Sequence, residues 1–272
     1  MQSINFNIYD HNFCESKIYA LNQHPEYLNS LSSLFITFIG INALMKHNHS
    51  FLLSLLYSSL VINGITSFFY HYYNTIGWGL LDRMSMVIIA MSSINLFISN
   101  INRIIEIDRL EYIDRIKYIN CITISYFTIL FTVAGLHMET LFNIIFGIFL
   151  GSLIIFVYLI DRNYKLKIPH TITLFAWKGI KYIAISGVFW IVTENLCNEY
   201  GFVKYLFGHV WWHIFVSYGG YLISLLPMYL FLHEKCQIYT ESFNQSNPIK
   251  IKYDYFNIPY LSLYNDDYIL PI

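Results

Sequence analysis

Seven stretches of the chain are predominantly apolar over the roughly 20 residues that one helical crossing of a bilayer requires. They fall at about 28–46, 51–74, 77–100, 118–136, 141–160, 173–197 and 206–232. Strands of a membrane barrel would alternate polar and apolar residues in segments of about ten. Runs such as Leu141 to Ile160 do not alternate. The links are mostly short, as from Asn74 to Gly77 and from Leu136 to Thr140, so neighbouring spans must be antiparallel. The pattern predicts an all-α membrane protein, a seven-transmembrane-helix bundle. It divides the chain into an N-terminal segment (1–27), the helical domain (28–232) and a C-terminal tail (233–272).

Basic residues in short loops set orientation, because they are retained on the cytosolic side. The side of the N-terminus carries Lys17 and Lys204. The opposite side carries Lys46, Arg103, Arg109, Arg115, Lys117, Arg162, Lys165, Lys167, Lys235, Lys250 and Lys252, and Lys178 and Lys181 lean towards it. This asymmetry predicts a lumenal or extracellular N-terminus and a cytosolic C-terminus. No basic region followed by an apolar stretch occurs in the first 28 residues, so no cleavable signal peptide is expected and the first span would direct insertion. The expected location is a multi-pass protein of the endoplasmic reticulum, Golgi or plasma membrane.

Composition strengthens this reading. Hydrophobic residues make up 56%, charged residues 12%, and the mean hydropathy is +0.47. A soluble globule carries about 25% charged residues, so the surface of this chain must face lipid. With a net charge of −1 and a pI near 6.8, the basic surface of a nucleic-acid binder is missing. Membrane lipids are the expected surroundings, and no obligate protein partner is evident. The predicted topology also sorts the four cysteines. Cys121 and Cys236 lie towards the reducing side, Cys14 and Cys197 towards the oxidising one. One lumenal disulfide is open to the latter pair; two unrelated thiols are the alternative.

Ionisable groups within spans are costly and are candidates for function. His71, His209 and His213 are the histidines inside predicted spans, joined there by Asp82, Arg83 and Glu194. His71 ends the second span and Asp82 lies about as far into the third, so at about 1.5 Å per residue the two share a depth. His209 and His213 occupy the first two turns of the seventh span, and Glu194 ends the sixth. All lie in the N-terminal half of the membrane. His209 and His213 are also i and i+4, so both imidazoles leave one helix face, the usual way for a helix to give two nitrogens to one metal. Ser67 stands one turn deeper than His71. Three histidines leave the fourth tetrahedral position of Zn²⁺ open for water, as a hydrolytic site needs. Arg83 and Glu194 are read as structural, with Arg83 either pairing with Glu194 or reaching towards the membrane surface.

The set Ser67-Phe-Phe-Tyr-His71, Leu81-Asp82 and His209-Val-Trp-Trp-His213 resembles the CREST superfamily of membrane hydrolases. Both of its branches, the alkaline ceramidases and the progestin/adiponectin receptors with their haemolysin-III relatives, carry this set. Asn12-Phe-Cys-Glu15, followed by Glu26-Tyr-Leu-Asn29, is similar to the calcium-binding stretch of the alkaline ceramidases, and the predicted topology matches that branch too. The resemblance implies an intramembrane Zn²⁺-dependent amidase that splits ceramide into a sphingoid base and a fatty acid. His71, His209 and His213 would hold zinc, with Asp82 as general acid–base and Ser67 as oxyanion donor. It also implies a calcium site on Asn12, Phe13, Glu15, Lys17 and Glu26, and a Cys14–Cys197 disulfide. Here Asn12 replaces an acid, Phe13 a tryptophan and Lys17 an asparagine. Because Ca²⁺ gains affinity from carboxylate charge, calcium dependence should be weakened. Arg83 stands where an acidic residue often follows the aspartate, which bears on substrate preference.

Two other readings fit parts of the pattern. One is a hydrolase of another lipid amide or ester in the same superfamily. The other is a seven-helix receptor, faintly suggested by Asp108-Arg109; that pair lies in a highly charged loop, and the seventh span has no lysine for a retinal Schiff base.

Overall fold

The computed structural model describes residues 13–18, 25–46, 50–104, 139–164, 168–240 and 249–263. The fourth predicted span, the Asp108-Arg109 pair, Cys121 and Asn12 lie outside these residues. The described helices are α1 (Tyr27–Lys46), α2 (Phe51–Tyr73), α3 (Ile76–Ile104), α4 (Glu139–Tyr164), α5 (His170–Leu196) and α6 (Gly208–Thr240). Single 3-10 turns stand at Cys14–Ile18 and Val203–Leu206. Each helix coincides with a predicted span to within a few residues, except that α6 continues beyond 232.

Among the described residues, five helices are long and apolar enough to cross a membrane: Tyr27–Lys46, Phe51–Tyr73, Ile76–Ser99, His170–Leu196 and Val203–His233. The chain is thus a multi-pass membrane protein by length and composition. Its outward faces agree. Ile185, Val188, Ile191 and Val192 follow one stripe of α5 and are exposed, a surface that water would penalise and lipid accepts.

Local signals set the helix ends. The Ser50 hydroxyl accepts a hydrogen bond from the Leu53 N–H at 3.3 Å, capping α2. At the other end Asn74 takes the left-handed conformation (φ 47°, ψ 47°) and closes the helix on the Tyr70 carbonyl. This two-residue reversal turns α3 back along α2 and so brings Asp82 level with the last turns that carry Ser67 and His71. Within the bundle α1 packs between α2 and α6, α5 runs along α6, and α3 covers the far side of α2, with α4 against α3. Helices α5 and α6 approach almost backbone to backbone at Gly179 and Gly219. A Cβ at Gly219 would fall 2.7 Å from the Gly179 carbonyl oxygen. Small residues at such crossings let transmembrane helices pack closely where no hydrophobic drive holds them together.

The tail corrects the all-α expectation. Strands β1 (Ile249–Tyr253) and β2 (Pro259–Leu263) form an antiparallel hairpin. The alternation in Ile249-Lys-Ile-Lys-Tyr253 is a strand signal that the helical reading passed over. The hairpin also belongs to the bundle. Ile258 and Leu261 enter the main core, the Tyr221 hydroxyl donates to the Pro259 carbonyl at 2.6 Å, and Asn42 Nδ2 donates to Asp254 Oδ2 at 2.8 Å. It covers the end of α1 that carries Asn42 and Lys46, opposite the end that carries the histidines.

Candidate metal centre

His71, His209 and His213 come together as the sequence spacing predicts. All three are buried, and one ligand atom from each lies within 4.8 Å of the others. Zinc held by imidazoles at 2.0–2.1 Å brings tetrahedral neighbours to about 3.3 Å of one another, so modest rotations of the rings would close the set around an ion.

Partners on the far side of the rings fix which nitrogens face inward. His71 Nδ1 lies 2.8 Å from Glu26 Oε2. An ionised carboxylate can only accept, so Nδ1 carries the proton and Nε2 keeps its lone pair for a metal. His213 Nδ1 lies 2.8 Å from Ser32 Oγ and 3.3 Å from Ser33 Oγ, again leaving Nε2 for the cluster. His209 Nδ1 lies 4.0 Å from Glu194 Oε1. Donor chemistry and burial thus fit a metal ion such as Zn²⁺.

The catalytic candidates sit in one buried hydrogen-bonded chain. Ser33 Oγ donates to Ser67 Oγ at 3.1 Å, and the Ser67 hydroxyl in turn bonds the Asp82 carboxylate. Asn63 Nδ2 donates to Asp82 Oδ1 at 2.9 Å, and Ser85 Oγ donates to the Asp82 carbonyl at 2.7 Å. His213, Ser67 and Asp82 are therefore linked through Ser33 rather than merely sharing a depth. Asn63, Ser32 and Ser33 were missing from the sequence reading, and Glu26, expected there at a calcium site, faces His71 instead. A signal for Asn63 was present: 63, 67 and 71 continue one i, i+4 stripe of α2.

This chain belongs to the ceramidase family. The family model described as Ceramidase matches residues 9–261, which includes every residue of the histidine cluster and its hydrogen-bonded chain. No curated protein matches the chain. Membership makes it a ceramidase-type hydrolase and displaces the receptor reading, while the lipid substrate class is ceramide.

The other ceramidase features carried over from the sequence fare differently. Glu194 and Arg83, read as structural, each have a contact: Glu194 Oε2 accepts the Cys14 N–H at 2.8 Å, and the Arg83 guanidinium sits 6.0 Å over the Tyr70 ring. The described residues of the calcium stretch, Phe13, Glu15, Lys17 and Glu26, do not fit a calcium ion. Glu15 Oε1 and Oε2 accept the Leu28 and Asn29 N–H groups at 2.7 Å each, satisfying the N-terminus of α1. Glu26 Oε1 accepts the Phe13 N–H at 3.0 Å, and its Oε2 faces His71. The Phe13 carbonyl accepts from Ser16 Oγ at 2.8 Å. Every one of these oxygens already faces a hydrogen, and Ca²⁺ requires six to eight of them turned towards itself. Lys17 brings no oxygen from its side chain; its Nζ lies 3.0 Å from Cys197 Sγ.

Cys14 and Cys197 are brought into contact beneath Val203, yet both are free thiols, so the predicted disulfide is absent from this structure. Burial, the adjoining Cys197 thiol and the Glu194 carboxylate raise the Cys14 thiol well above its ordinary range. The nucleophilic thiolate is accordingly suppressed at that position. Hydrogen bonds to Glu26 and Glu194 hold the N-terminal arm over the histidine end of the bundle.

Proposed function

We propose that this protein is an intramembrane zinc-dependent amidase that hydrolyses ceramide to a sphingoid base and a fatty acid. The observation that carries the proposal is the convergence of three buried imidazoles next to the Ser67–Asp82 pair, in a chain of the ceramidase family. His71, His209 and His213 would hold the ion. When bound, zinc supplies a Lewis acid for the amide carbonyl and lowers the pKa of water towards neutrality.

The remaining chemistry falls to the chain. Asp82 takes the proton of the attacking water and delivers it to the leaving amine, a general acid–base role. Asn63, donating to Oδ1, fixes the carboxylate so that its other oxygen is the one that exchanges the proton. Ser67 is placed to donate to the oxyanion as charge develops on the former carbonyl. In the resting arrangement it bonds Asp82, so the hydroxyl must turn as the proton moves. The apolar flanks of the bundle suit a substrate that enters from the membrane. We place the N-terminal arm and the histidine end on the lumenal or extracellular side, as the distribution of basic residues indicates.

Ser67→Ala is expected to keep its zinc and lower turnover by about 10² to 10³, the scale for one oxyanion donor. Ceramide turnover and zinc content measured on the same preparation check this. The substrate class is tested by presenting the purified protein with ceramides beside other lipid amides and esters of equal chain length. Preferential release of sphingoid base supports the reading, and faster cleavage of a lipid ester than of any ceramide contradicts it.

A further inference from the structure

The geometry points to Glu26 as a positioning residue of the metal centre: it fixes the tautomer and orientation of His71 and is itself clasped by the N-terminal arm, with no calcium ion between. The inference rests on the proposed reading of the three histidines as metal ligands.

Glu26 is fully buried, and its connections all lead to one place. Its backbone N–H donates to the His71 carbonyl at 3.1 Å while its Oε2 faces His71 Nδ1 at 2.8 Å. The residue is thus tied to both the main chain and the ring of the same histidine, across two helices. Asn29 Nδ2 donates to Oε2 at 3.1 Å from the next turn of α1, and the Phe13 N–H donates to Oε1 at 3.0 Å. With both oxygens held, the carboxylate cannot swing, and the imidazole it grips cannot flip. A buried carboxylate is costly unless it is hydrogen-bonded and its charge is balanced. Here a cation held on the opposite nitrogen of His71 would balance it through the ring. That arrangement, carboxylate to imidazole to metal, raises ligand basicity and typically supports 10–100-fold in metal affinity.

The arm secures the grip from outside. Glu15 anchors it to the start of α1, and Phe13 lays its ring against His71 and His209, with centroids 4.8 and 4.4 Å apart. The next N–H, on Cys14, donates to Glu194, the carboxylate near His209. Successive backbone amides of the arm therefore hold the acidic groups behind two of the three imidazoles. The described part of the segment that resembles a calcium site serves here as a clasp built on protein donors.

The test measures zinc affinity of the full-length protein by competition with a chromophoric chelator, and the visible spectrum after Co²⁺ substitution, which reports ligand geometry. Glu26→Gln should bind zinc about 10- to 100-fold more weakly than the wild type and shift the cobalt bands. Glu15→Gln loosens the arm without touching His71 and should weaken zinc binding in the same direction but by a smaller factor than Glu26→Gln. If Glu26→Gln does not fold, Glu26→Asp replaces it; the shorter side chain should lower affinity by a smaller factor in the same direction. Added Ca²⁺ should change neither zinc affinity nor the thermal midpoint of the wild type. Wild-type zinc affinity and cobalt bands in the Glu26 variant, or a Ca²⁺-induced stabilisation that this variant loses, would overturn the inference while leaving the proposed function standing. Failure of the wild type to bind zinc at all would instead overturn both.

Discussion

Purified protein carrying His71→Ala, His209→Ala or His213→Ala should lose its zinc, and ceramide turnover should fall to background. Each side chain is buried and contributes one of the ligand atoms that lie within 4.8 Å of one another, so no neighbouring group stands ready to replace it. The loss should exceed the 10–100-fold typical of outer-shell partners, because two imidazoles cannot reproduce a closed three-nitrogen face. The three variants should differ in stability. His71→Ala also strips Glu26 of the ring that faces it at 2.8 Å and leaves a buried carboxylate less well satisfied. His213→Ala leaves behind the hydroxyl of Ser32, which retains the Asn29 carbonyl as acceptor at 2.9 Å, and that of Ser33, which retains Ser67 Oγ at 3.1 Å. Thermal unfolding in detergent should therefore rank His71→Ala below His213→Ala. Full zinc and full turnover in His213→Ala would refute the assignment of the ligands.

Asp82→Asn is the second large effect, and it separates chemistry from binding. An amide cannot take up the proton of water, so turnover should drop by about 10² to 10⁴, the range for a positioned acid–base group. The fold and the metal should survive. The amide oxygen can still accept from Asn63 Nδ2, now 2.9 Å from Oδ1, and the Ser85 bond goes to the Asp82 main chain, which the substitution does not alter. Zinc content by elemental analysis and turnover on one sample distinguish the outcomes. Loss of zinc in a folded Asp82→Asn protein would make Asp82 a support of the metal instead of a proton carrier.

Much of this organisation was legible in the sequence because membranes impose long, simple patterns. Twenty apolar residues mark a span whatever it packs against, and α1, α2, α3, α4, α5 and α6 follow those marks closely. The histidines, Ser67 and Asp82 were legible for a related reason: a polar group in an apolar run stands out, and i, i+4 spacing says which face it leaves. Glu26 and Ser33 were not legible in the same way. Glu26 lies in a polar segment just before α1, where nothing in its surroundings announces that its oxygen faces His71. Ser33 sits in Ser32-Ser33 on α1, and only the packing of α1 between α2 and α6 decides that these hydroxyls meet His213. The hairpin β1–β2 carried its alternation openly but occupies a tail read only for charge. The calcium stretch shows a limit of motif reading. Glu15 and Glu26 keep the family spacing, but their oxygens are taken up by backbone amides and an imidazole.

The proposed function is tested most directly by removing and restoring the metal on one preparation with ceramide present. Purified protein is stripped with a chelator, supplied again with Zn²⁺, and followed for equimolar release of sphingoid base and fatty acid. The proposed mechanism predicts that hydrolysis ceases in the stripped protein and returns as about one zinc per chain is taken up, while His213→Ala regains none. Undiminished ceramide hydrolysis by metal-free, folded protein would contradict it.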